Sequence, residues 1–134
     1  MKVRSEVQGL IFRGSKDEIE ILLIKKLGLK THRYSWRLLK GGVETGETEK
    51  QALKREIFEE VGLRNVQILD KIHSYRFFFG NVQHTVSSFL VEADPHENAR
   101  PGRTEVVDYT WIPKQRALEM LYWKDEKEAV KRLE

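Results

Sequence analysis

GGVETGETEKQALKREIFEEVGL, residues 41–63, packs Glu44, Glu47, Glu49, Glu56, Glu59 and Glu60 into one glycine-bearing turn and one short helix. Thr48, with Gln51 three residues on, is a capping-box pattern, so the helix begins near Glu49. Gly62 is the residue type that ends a helix in the left-handed conformation. At about 100° per residue, Leu53, Ile57 and Val61 form one apolar stripe that must face a core. Glu56, Glu59 and Glu60 stand at i, i+3 and i+4 on one flank of that stripe. Like charges so placed repel by a few tenths of a kcal/mol per pair at an exposed surface, and by more when partly buried. A hard divalent cation removes that repulsion, because Mg²⁺ takes oxygen ligands and keeps waters that a phosphate can replace. A Glu-Glu pair alone is ordinary on a solvated helix face. Here glycines precede the helix, Glu47 stands before its cap, and Arg55 is placed to pair with Glu47.

Working outward, 134 residues suit a single domain spanning 1–134, with room for one real core. Hydrophobic content of 40% with charged content of 34% excludes a disordered chain. The net charge of +3 is too small to argue for nucleic acid by itself, though it suits an anionic substrate. With no cysteine there is no disulfide, thiolate chemistry or cysteine-based zinc site. His32, His73, His84 and His96 lack metal-ligand spacing with one another. The first residues carry charges at Lys2, Arg4 and Glu6 and have no signal-peptide core. No run reaches the roughly 20 apolar residues of a membrane span. A cytoplasmic protein with no membrane contact is the expectation.

VRSEVQGLIFR and EIEILLIKK flank GSKDE and predict a hairpin. LGLKTHRYS is a basic loop, and Trp36 to Leu39 a short strand. VQILDKIHSYRFFF and HTVSSFLVEA flank Gly80-Asn81, a second hairpin signal. DPHENARPGRTE is a polar loop, VVDYTWI a strand ended by Pro113, and the tail two short helices or one broken one. Strands, a helix, more strands and terminal helices predict an α/β (α+β) sandwich, its mixed sheet covered by helices. Tyr75, Phe77 and Phe79 alternate on one strand face. Core packing is the default for them and for Tyr122 and Trp123, although Tyr75 near the strand's start could reach a cleft.

Gly41, Glu47, Arg55-Glu56-Ile57, Glu59-Glu60 and Gly62-Leu63 resemble, without a departure, the signature box of the Nudix hydrolase family. Flanking strands and chain length extend the resemblance over nearly the whole chain. It implies a Nudix-type α/β/α sandwich and hydrolysis of a phosphoanhydride in nucleoside diphosphate-linked substrates. It implies Mg²⁺ or Mn²⁺ bound by Glu56, Glu59 and Glu60, helped by a backbone carbonyl near Lys40. Arg55 and Glu47 would form the salt bridge that fixes loop to helix. A further glutamate before the last strand often serves as ligand or base; Glu105 fits that place, with Glu97 as the fallback. One carboxylate must accept a proton from the attacking water, and Glu56 and Glu59 are even candidates, with Glu105 behind them.

WRLLKGGVETGE, residues 36–47, resembles the box typical of diadenosine polyphosphate hydrolases, with Leu39 where proline is usual. It also resembles bacterial RNA pyrophosphohydrolases, which act on 5′ ends. Lys40, Arg37, Arg33 and Lys30 offer a basic rim for a polyphosphate, Tyr75 a ring for a base, and His84 a phosphate contact. The expected substrate is a diadenosine polyphosphate, for example diadenosine tetraphosphate cleaved to ATP and AMP. An RNA 5′ end or a nucleoside triphosphate is the alternative. A non-catalytic nucleotide-binding regulator is the competing class, from which lost box glutamates would be expected; all are present. Monomer and homodimer stay open.

Overall fold

The computed structural model describes residues 2–28, 31–102 and 105–133. Seven strands form one sheet: β1 (Lys2–Arg13), β2 (Glu20–Leu27), β3 (Tyr34–Arg37), β4 (Leu39–Gly42), β5 (Val66–Phe79), β6 (Val82–Ala93) and β7 (Val106–Pro113). The helices are α1 (Glu49–Val61), α2 (Lys114–Met120) and α3 (Lys124–Lys131). The sheet runs β3-β2-β1-β6-β5, with β4 paired to β1 and β7 to β2. It is mixed, because β1 and β6 are parallel while the other pairs are antiparallel.

Both faces of the sheet are covered, which is why its central strands read as continuous apolar runs. Val7, Ile11, Leu22 and Ile24 pack under α1 with Leu53, Ile57 and Val61. Leu10, Phe12, Ile21 and Leu23 point the other way, onto Ala117, Leu121, Ala129 and Val130 of the C-terminal segment. The α/β/α sandwich with a mixed sheet is the fold the sequence predicts.

α1 starts and stops on local signals. Thr48 Oγ1 accepts from Gln51 N at 3.1 Å, and Gln51 Oε1 accepts from Thr48 N at 2.9 Å. At the other end Gly62 adopts φ +71, and its N–H donates to Phe58 O. The β5–β6 hairpin turns at Gly80-Asn81, with Phe79 opposite Val82.

Two expectations need correction. β1 and β2 form a hairpin only at their tips, through Phe12↔Ile21 and Arg13↔Glu20. The main partner of β1 is β6, in parallel register from Lys2↔Val82 to Phe12↔Glu92. A local turn signal does not reveal so distant a partner. The short strand at Trp36 to Leu39 is two strands broken at Leu38: β3 pairs with β2 and β4 with β1.

Gly62 can be tested directly. A Cβ there would lie 2.6 Å from the backbone oxygen of Arg100, on a residue already in the left-handed region. Gly62→Ala should destabilise the protein by about 1–3 kcal/mol, read as a lower urea midpoint at unchanged m-value.

Candidate active site

The box glutamates gather around one guanidinium. Arg55 Nε donates to Glu47 Oε2 at 2.7 Å, and Nη2 to Glu47 Oε1 at 2.9 Å. Nη2 also donates to Gly42 O at 2.9 Å, tying α1 to β4. Nη1 donates to Glu56 Oε1 at 2.9 Å and Glu59 Oε2 at 3.2 Å. The Arg55 hydrogen bonds hold the Glu47 carboxyl down at about 2, and those carboxylates raise the Arg55 guanidinium in turn. Glu47 also accepts from Glu44 N at 2.9 Å, which closes the turn before the helix.

Gly41 is what lets Glu56 lie against β4. A Cβ there would stand 2.2 Å from Glu56 Cδ, inside the carboxylate. Glu60 turns instead toward β2, where Lys26 Nζ lies 3.5 Å from its Oε1 and 3.8 Å from Glu105 Oε2. Glu60 Oε2 is buried without a hydrogen-bond partner. Burial raises the Glu60 carboxyl to about 7, with Glu56 and Glu105 adding to the rise and Lys26 opposing it.

The structure therefore brings Glu47, Arg55, Glu56 and Glu59 together, with Glu60 and Glu105 joined through Lys26. Glu97 is elsewhere: its carboxylate accepts from Arg64 N and Asn65 N and shapes the loop after α1. Among the described residues no three acidic or imidazole side chains converge on one point: Glu56 and Glu59 both bond Arg55, while Glu60 pairs with Lys26. The donors still suit a hard divalent cation. They are carboxylate oxygens, Gly41 leaves room beside Glu56, and Glu60 Oε2 is buried and unpaired.

On the opposite face of β4, Lys40 lies with Nζ 4.5 Å from the centre of the Phe77 ring. Burial lowers its ammonium, with Glu6 and Glu126 opposing. His73, Tyr75, Phe77 and His84 form a stacked ladder, in which Phe77 and His84 are 4.6 Å apart and 5° from parallel. Tyr75 donates to Gln8 Oε1 at 3.4 Å, and burial raises its hydroxyl. His84 Nδ1 is 2.6 Å from Glu6 Oε1, so this imidazole already has an anionic partner. Arg37 Nε donates to the buried carboxylate of Glu126 at 2.9 Å. Arg33 is exposed before β3, and Lys30 lies outside the described residues. Core packing fails for Phe79 at the end of β5 and for Tyr122 and Trp123 in the link between α2 and α3, all of which are exposed.

Sequence reasoning missed Lys26, Glu6, Gln8 and Glu126. Each acquires its role from a distant strand or helix, and no local spacing marks it.

Residues 3–133 match the NUDIX domain. The chain belongs to the NUDIX family. An RNA pyrophosphohydrolase of Francisella tularensis subsp. mediasiatica is 43% identical over 56 residues, 38% of this chain and 36% of that one. An octanoyltransferase of Myxococcus xanthus is 31% identical over 127 residues, 91% of this chain and 34% of that one. The chain thus spans about a third of the length of the curated relatives it matches. A C. elegans Ap4A hydrolase structure shares the NUDIX fold at a TM-score of 0.82 and 20% identity, covering 96% of this chain and 93% of that one. Among the described residues no helix is long and apolar enough to cross a membrane.

Glu60 gives this NUDIX chain a pH signature. Its carboxyl ionises near 4.5 when unfolded and near 7 when folded, so the folded state holds the proton longer. That contribution is fully present below pH 4.5 and is lost as pH rises through about 7. In chelator-treated protein, unfolding free energy should fall across this window by roughly 3 kcal/mol relative to Glu60→Gln. Urea titrations of both proteins from pH 4 to 8 measure the difference.

Proposed function

We propose that this protein is a metal-dependent pyrophosphohydrolase that cleaves a phosphoanhydride in nucleoside diphosphate-linked substrates, diadenosine polyphosphates in first place. One observation carries the proposal: carboxylates crowded on a single helix, with Glu60 Oε2 buried and unpaired, across β4 from a cation-bearing and ring-lined face. The diadenosine preference rests on the spelling of residues 39–47. The match to an RNA pyrophosphohydrolase supports a second substrate class, RNA carrying a 5′ triphosphate.

Mg²⁺ or Mn²⁺ bound by Glu56, Glu59 and Glu60, with a backbone carbonyl near Lys40, would supply charge neutralisation on the phosphate oxygens and acidify water. The protein's own groups do the rest. Lys40 and Arg37 hold the phosphate chain, Tyr75 and Phe77 take a base, and Arg55 with Glu47 keeps the helix seated. Water gives a proton to a carboxylate as its oxygen bonds to phosphorus, and the bridging oxygen leaves with the electron pair of the broken P–O bond as the terminal phosphate of the second product. Glu59 is suited to accept the proton, because its side chain is half exposed whereas Glu56 is pressed against Gly41. Glu105, exposed and within reach of Lys26, is the reserve base or ligand.

Glu59 loses only an exposed contact to Arg55 when made neutral. Glu59→Gln should lower kcat by about 100-fold or more at unchanged melting temperature. The assay uses diadenosine tetraphosphate, ADP-ribose, nucleoside triphosphates and triphosphorylated RNA with Mg²⁺ or Mn²⁺. ATP plus AMP from the dinucleotide marks asymmetric cleavage. Binding without product across the panel would establish a nucleotide-binding regulator instead.

A further inference from the structure

β4 is four residues long and must hold Gly41 against Glu56 without slack, since a Cβ on Gly41 would fall inside the Glu56 carboxylate. Its trailing end is fastened by α1, through Arg55 Nη2 and the Gly42 carbonyl. Its leading end follows Leu38, where the chain changes partners. Arg37 pairs with Ile24 of β2 and Leu39 with Gly9 of β1, so Leu38 falls between the two ladders. Leu38 is buried, and a buried amide without a ladder partner is costly.

Glu126 supplies that partner from α3, which packs on the sheet face opposite α1. Its Oε2 accepts the Leu38 N–H at 2.6 Å, and its Oε1 accepts from Arg37 Nε at 2.9 Å. Glu126 is 1% exposed, and burial raises its carboxyl, with Arg37 and the Leu38 N–H opposing. A buried ion pair often stabilises no more than apolar side chains would. What this one fixes is the point from which β4 departs. α3 is itself moored to β5, where Asp125 lies 3.0 Å from His73 Nε2 and Arg132 Nη1 donates to Ile72 O at 2.9 Å. The short strand beside the glutamates is therefore held at each end by a charged side chain, from a helix on each face.

We propose that Glu126 is a positioning residue of the active site: it pins the start of β4 as Arg55 pins its end, and so sets the clearance in which Glu56 takes up a divalent cation. This assignment rests on the metal-dependent reading above and extends it to a helix that carries none of the box residues. Glu126 acts through β4, three residues upstream of Gly41.

Glu126→Gln tests it, because one carboxamide oxygen cannot stand at both acceptor positions. Asp125→Asn is the control, since it loosens the same helix from β5 and leaves Leu38 and Arg37 alone. Mn²⁺ affinity is read by electron paramagnetic resonance, and the Gly41 and Gly42 amide signals of metal-free protein by NMR. Glu126→Gln should weaken Mn²⁺ binding about tenfold and displace both glycine signals, whereas Asp125→Asn should do neither. Equal losses in the two variants would reduce Glu126 to a helix-docking residue, and no loss in either would remove it from the site; both outcomes overturn the assignment. Should circular dichroism show Glu126→Gln unfolded, Arg37→Gln, which leaves the carboxylate without its cation, takes its place under the same criteria. Wild-type protein that binds no Mn²⁺ would end the metal-dependent reading, and the glycine signals alone would then judge the clamp. Displacement in Glu126→Gln but not in Asp125→Asn sustains it, and unmoved signals sink it.

Discussion

The acidic helix exists in this form because one guanidinium can satisfy several anions at once. Arg55 reaches both oxygens of Glu47, the Gly42 carbonyl, Glu56 and Glu59. A lysine could not reproduce this, since a point charge lacks the planar fork that addresses carboxylate and carbonyl along different edges. The hub converts repulsion among glutamates into a shared attraction. It also fixes the distance between α1 and β4, and hence the side-chain positions on both faces of that strand.

β4 then separates the chemistry by the simple alternation of a strand. Gly41 faces α1 and yields its side-chain space to Glu56. Its neighbour Lys40 faces the opposite way, over Phe77 and close to Glu6. The box glutamates with their Arg55 hub and the Lys40–Phe77 pair are thus held on opposite sides of one residue-to-residue step.

How much was legible in the sequence follows from how local each determinant is. Thr48, Gln51 and Gly62 act within a turn of where they stand, so the limits of α1 could be read directly. The β5–β6 hairpin was readable for the same reason, from Gly80 and Asn81. The β1–β6 pairing leaves no local mark, because burial on both faces erases the alternation that would distinguish partners. Glu126 looks like any charged helical residue until the fold sets it against Arg37 and the Leu38 amide. Lys26 and Glu105 meet Glu60 only after β2 and the loop before β7 converge. Tyr122 and Trp123 were misjudged because ring size favours burial, whereas the short link they occupy turns them outward.

The parallel ladder between β1 and β6 also governs the order in which the chain can acquire its fold. Val7 waits for Ser87, so the central pairing cannot close on a ribosome until some eighty residues beyond the first strand have emerged. Until then β1 has only the tips of β2 and the short β4 to lean on. Closing so long a loop is entropically slow, and the strand's apolar faces stay uncovered in the interval. The helix that carries the glutamates can form during that interval on its own caps and dock on β4 through Arg55 and the Gly42 carbonyl, ahead of the central pairing.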